Sequence, residues 1–164
     1  MAYNLISTVT VGAGGSANIS FSSIPGTYTD LVIVVSSRIV ATSDSPSFTF
    51  TFNGSSTTFT TRYLLGNGAS ASSSSLSSAW GGITDGSVQT ANTFANTSIY
   101  IPNYAGSTNK AYSVDGISEQ NVSTAFQSMA AGLWATTSAI TSIVLSSAGG
   151  NFDQYSTASL YGIN

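Results

Sequence analysis

Apolar and polar positions alternate along most of this 164-residue chain. Alternation sends successive side chains to opposite faces of an extended strand, so it predicts β-structure. The cleanest case is Ser47–Asn53 (SFTFTFN), where Phe48, Phe50 and Phe52 share one face and Thr49 and Thr51 the other. The same reading gives strands over 4–11, 17–21, 57–65, 97–101, 110–117, 125–134, 140–146 and 157–163. Residues 31–40 (LVIVVSSRIV) open apolar on both faces, as a central strand covered from two sides would.

Turn chemistry separates these runs. Gly12–Ser16 reads as a flexible hairpin connection, and Pro25-Gly26 marks a turn because the residue before proline is pushed to extended geometry. Gly54-Ser55-Ser56 makes 47–65 look like a β-hairpin. Short strands at this spacing predict an all-β chain: one domain over 1–164, an antiparallel, jelly-roll-like β-sandwich of about 8–10 strands. Residues 66–96 stand apart. They are rich in Gly, Ser and Ala and lack sustained periodicity, so they read as a long functional loop or an arm reaching a neighbouring subunit.

Composition narrows the chemistry. Charged residues make up 5% of the chain, against about 25% in an ordinary soluble domain. The only basic residues are Arg38, Arg62 and Lys110, too few to neutralise a nucleic-acid backbone. The chain lacks histidine and cysteine, which removes the usual zinc ligands, thiol nucleophiles and the histidine-based triad. No apolar run reaches the length of a membrane helix, and MAYNLIST lacks the features of a signal peptide. Neither a membrane nor nucleic acid is an expected partner, and synthesis in the cytoplasm is expected. About a third of the residues are Ser or Thr, which supply polar surface suited to strands. Charge this sparse suits a surface that ends up packed against partners, since interface cores are depleted in charge.

Each catalytic motif fails on context. Gly12–Ala17 matches G-x-G-x-x-A, but a dinucleotide site needs the glycines to open a helix, and here a strand and Pro25 follow. Ser107–Lys110 matches S-x-x-K in a turn, not at the start of a helix. Asn-x-Ser sequons at Asn18, Asn53, Asn96 and Asn121 are expected in a chain this rich in Asn and Ser. The carboxylates Asp85, Asp115, Glu119 and Asp153 are not brought together by any spacing a hydrolase would need, and no calcium loop occurs. The sequence therefore predicts no catalytic, cofactor or metal site. The aromatics in or beside loops, Trp80, Tyr104, Trp134 and Tyr155, are candidates for an interface or a glycan contact. The competing reading is that they plug the ends of the sandwich core.

Three stretches resemble segments of virion proteins from tailed bacteriophages, particularly marine and cyanobacterial ones. They are Ser22–Val35 (SSIPGTYTDLVIVV), Ile99–Lys110 (IYIPNYAGSTNK) and Asn151–Ile163 (NFDQYSTASLYGI). The resemblance implies a jelly-roll-like sandwich and a non-enzymatic structural role in the virion. It implies a capsid decoration, or cement, protein on the capsid exterior, bound to the major capsid protein and to copies of itself as a homotrimer. The alternative is a tail-fibre or spike head domain that binds a host surface glycan. The first strand is expected within about five residues of Met1, leaving no room for a fibre anchor or stalk, and that favours the cement role.

Overall fold

A computed structural model describes residues 2–121 and 124–164; the last two positions of the Asn121 sequon lie outside them. The described residues contain no helix and form twelve strands in two antiparallel sheets. In chain order the strands are β1 (Tyr3–Thr10), β2 (Asn18–Phe21), β3 (Asp30–Ser37), β4 (Ser47–Phe52), β5 (Phe59–Gly66) and β6 (Ala71–Leu76). There follow β7 (Ala79–Ile83), β8 (Ala95–Ile101), β9 (Lys110–Glu119), β10 (Ala125–Trp134), β11 (Ile143–Ser147) and β12 (Thr157–Ile163). The large sheet runs β1-β12-β3-β8-β9-β10-β5-β6, and the small one β2-β11-β4-β7. This is the antiparallel sandwich that alternation predicts.

Two sequence readings of strand connection fail. Residues 47–65 are not a hairpin: β4 pairs with β11 and β7 in the small sheet, while β5 pairs with β10 and β6 in the large one. Likewise Gly12–Ser16 joins β1 of the large sheet to β2 of the small one. The reason is burial. Phe48, Phe50 and Phe52 of β4 and Phe59 of β5 all belong inside, and opposed sheets bury them better than one half-exposed ribbon.

Residues 66–96 also hold more structure than their composition suggests. β6 (ASSSSL) extends the large sheet as an exposed edge, and β7 (AWGGI) is buried at every position. Glycine makes β7 possible, because a Cβ at Gly81 would collide with the Phe48 ring. Here the absence of a side chain is the packing signal, and periodicity cannot register it.

The core between the sheets is aromatic. Phe52 packs against Phe50 (5.4 Å between ring centroids), Trp134 (5.5 Å), Phe59 (5.6 Å) and Tyr112 (6.1 Å). Across β10, Gly132 leaves the space that the Tyr112 ring fills. Lys110 is also fully buried. Its ammonium donates to the carbonyls of Gly106 (2.6 Å), Thr108 and, more distantly, Thr137 (3.4 Å), stapling the 102–109 loop to the segment after β10.

Burial shifts several groups. It pushes the phenols of Tyr104 and Tyr112 above the ordinary value of 10.0, and it pulls Lys110 below 10.5. A raised folded-state value means stability that is complete below pH 10 and lost as pH rises through the folded value. Lys110 acts in the opposite sense, gaining stability as pH rises toward 10.5, but it is one group against two. Net stability should therefore fall above pH 10. In an absorbance titration of the eight tyrosines, Tyr104 and Tyr112 should ionise only together with loss of near-ultraviolet circular dichroism. Eight phenols titrating near pH 10 with the fold intact would contradict this.

Candidate functional site

The outer face of the large sheet is the chain's most distinctive surface. Alternation dictates that strands with one face in the core present the other to solvent, and that second face is expected to be polar. Here it is not. Of the eleven exposed large apolar side chains among the described residues, only Val40, Val88 and Tyr155 sit elsewhere, in loops. The other eight lie on this face: Tyr3, Leu5, Val34 and Tyr100 toward β1, and Leu64, Ile117, Met129 and Leu133 toward β6.

Register shows how these residues meet. One row crosses the sheet as Ser73, Leu64, Met129, Asp115, Ser98 and Val34. The next runs Ser75, Arg62, Ala131, Ser113, Tyr100, Val32 and Tyr161. Toward the β6 side the sheet forms an open trough of about 860 Å³ over β9, β10, β5 and β6. Its floor is low at Ala131 and Ser113, and the exposed Leu64 and Met129 are among its apolar lining. Its two charges, Arg62 and Asp115, make no ion pair with described residues; the one such pair is Arg38–Asp153 at 3.7 Å.

The β1 side carries a tyrosine cluster. Tyr3 and Tyr161 meet edge to face, with centroids 6.2 Å apart. Tyr100 Oη donates to Asp30 Oδ2 at 2.6 Å, and the Asn103 amide donates to Asp30 Oδ1 at 2.8 Å. That hydrogen bond to the carboxylate, with a smaller contribution from burial, holds the Tyr100 phenol above its ordinary value. Both Asp30 oxygens are thus committed to holding Tyr100 and the 102–109 loop in place.

The four aromatics singled out from the sequence are not brought together. Trp80 lies on β7 with its ring 4.5 Å from that of Tyr63. Tyr104 is fully buried and donates its hydroxyl to the Pro25 carbonyl. Trp134 ends β10, wedged between Phe52 and Phe59. These three side chains are core, leaving no ring face for a glycan. Tyr155 alone is exposed, at 67%, in a loop beside Arg38 and Asp153. Trp134 follows the inward parity of β10, Trp80 lies on a strand covered on both faces, and Tyr104 sits in the turn after β8, held inward by its bond to Pro25.

The residues that do form the surface were missed, although a signal existed. In β9 (KAYSVDGISE), Ile117 shares parity with the exposed Asp115, and in β10 (AFQSMAAGLW), Met129 and Leu133 oppose the parity of the buried Trp134. An apolar side chain on the polar parity of a strand is the mark of a second covered face.

The weighed carboxylates stay apart. Asp85 is sealed inside, accepting from Ser118 Oγ at 2.5 Å, and Asp153 faces Arg38. Asp115 and Glu119 share a face four residues apart, about 13 Å along a strand. Glycosidase pairs need about 5–9.5 Å. No group of three or more acidic side chains that could hold a metal occurs among the described residues. What this surface offers is adhesion: large apolar side chains set among small hydroxyls, with few charges to desolvate. No protein-family model, curated protein or solved structure matches the chain.

Proposed function

We propose that this protein is a non-enzymatic structural component of a tailed-bacteriophage virion, a capsid decoration protein that grips the outside of the shell through the outer face of its large sheet. The observation that carries the reading is that face itself, with eight exposed large apolar side chains and few charges. Large apolar side chains gathered on one exposed face point to an interaction surface, and tyrosine and methionine are enriched at such surfaces. Burial is worth about 25 cal/mol per Å² of apolar area, so a modest contact repeated over a symmetric shell accumulates as avidity. The phage resemblance supplies the partner, the major capsid protein.

Co-sedimentation with expanded capsids that lack the protein tests this. Saturable binding at a symmetric copy number, with a gain in heat resistance of the particle, is the expected result. Met129→Asp should weaken that binding about 100-fold or more, because an unpaired charge at a buried contact costs several kcal/mol. Met129 is half exposed in the free protein, so the fold should survive. Wild-type protein that ignores capsids would sink the reading; a Met129→Asp variant that binds normally would remove this face from it.

The tyrosine cluster beside Asp30 favours a second reading, a fibre or spike head that stacks a host glycan on exposed rings. Binding to host cells alone, lost on Tyr100→Ala, would select it.

A further inference from the structure

The two free edges of the large sheet are built differently. β1 forms one, and its pairing with β12 slips between Leu5 and Ser7, a bulge that breaks the ladder. β6 forms the other, and pairs with β5 without a slip from Gly66↔Ala71 to Thr61↔Leu76. β6 has no bulge, no proline and no charged side chain, which are the devices that stop sheets joining edge to edge. One edge is blunted and the other left open.

The ladder fixes which backbone groups face that open edge. The Asn67 amide donates to the Ser70 carbonyl at 3.1 Å, so these residues form a hydrogen-bonded pair at the turn. Bonded and non-bonded pairs alternate along an antiparallel ladder. Leu65↔Ser72, Tyr63↔Ser74 and Thr61↔Leu76 are then the bonded pairs, and the amides and carbonyls of Ala71, Ser73 and Ser75 point away from β5.

We propose that a second copy of this chain completes the edge, pairing β6 with β6 in antiparallel sense about a twofold axis at Ser73. Ser73 then faces the partner's Ser73, and Ala71 and Ser75 exchange bonds with the partner's Ser75 and the partner's Ala71. An isologous contact must tolerate its own sequence reversed, and a run of four serines does so without bulk or charge. Arg62 does not oppose itself: its row runs Arg62, Ser75, the partner's Ala71, the partner's Gly66. The row through the axis runs Leu64, Ser73, the partner's Ser73, the partner's Leu64, so the two outer faces join through a neutral serine seam into a sheet of twice the width. The twofold predicts an even-numbered assembly instead of the homotrimer that the phage resemblance implies. It stands independently of the capsid reading.

Sedimentation equilibrium from micromolar to near-millimolar concentration tests this directly. The expected species is a reversible dimer of twice 16.7 kDa. Ser73→Lys places two ammonium groups face to face, and like charges directly opposite destabilise a strand pair. It should raise the dissociation constant about tenfold or more, the equivalent of about 1.4 kcal/mol. Ser73→Pro removes the donor at the axis while sparing the bonds to β5, and should act likewise; Ser73→Thr should still dimerise. Circular dichroism confirms that each variant folds. A wild-type protein that stays monomeric throughout, or that forms a trimer, overturns the proposal, as does an oligomer indifferent to both the Lys and Pro variants.

Discussion

Phe52→Ala should destabilise the fold by about 3–5 kcal/mol, the range for emptying a buried aromatic site. Phe52 is fully buried, and its ring meets four others, from Phe50 beside it on β4 to Phe59, Tyr112 and Trp134 across the sandwich. These neighbours are rigid, strand-borne rings, so the site cannot collapse to fill the void, and the cost should lie toward the upper end. Typical domains have about 5–15 kcal/mol in total, so this one truncation removes a large share of it. Thermal melting should drop by about 10 °C or more. Phe52→Leu, which keeps most of the volume, should cost far less. Leu133→Ala, on the exposed side of the neighbouring β10, should change stability by about 0.5 kcal/mol or less. Equal melting temperatures for Phe52→Ala and Leu133→Ala would mean that the rings are not the centre of the core.

Arg38→Met should cost about 3 kcal/mol, and for a different reason. Arg38 follows β3, and its guanidinium is buried under the loop between β7 and β8. Its Nη1 donates to the carbonyls of Thr90 (2.9 Å) and Thr93 (3.1 Å), and its Nη2 to that of Gln89 (3.2 Å). Methionine retains the apolar stem but leaves the Gln89 and Thr93 carbonyls without a donor, and the Thr90 carbonyl with only the amide and hydroxyl of Thr93. Amide exchange over 86–94 should accelerate more than exchange in β9 or β10, because the loss is local. The neighbouring ion pair is minor by comparison. Asp153 sits 3.7 Å away with its side chain nearly half exposed, so Asp153→Asn should cost under about 1 kcal/mol. Similar losses for the two variants would show that the ion pair, not the carbonyl clamp, holds the loop.

The strand pattern was legible because period two is written locally. Residues 125–134 and 157–163 coincide with β10 and β12, and the inward parity of Phe48, Phe50 and Phe52 is the observed one. The poverty of charge was equally plain, and with it the expectation of a surface meant for contact. Other features depended on what lies across the sandwich. β7 became visible only when the Phe48 ring claimed the space above Gly81, and β6 only when β5 offered it an edge. For Trp80, Tyr104 and Trp134 burial selects the core over the interface or glycan reading, while Leu64, Ile117 and Met129 read as ordinary strand positions and lie on the exposed face.

The sequence by itself determined where most strands and turns fall, and which side chains share a face within a strand. The tertiary structure decided which strands pair, which of the two faces is covered, and which edge stays open. The physical reason is that alternation fixes the parity of a side chain within its own strand, whereas pairing and burial are set by residues tens of positions away. β4 beside β11, and Leu64 beside Met129, are neighbours that no local period encodes.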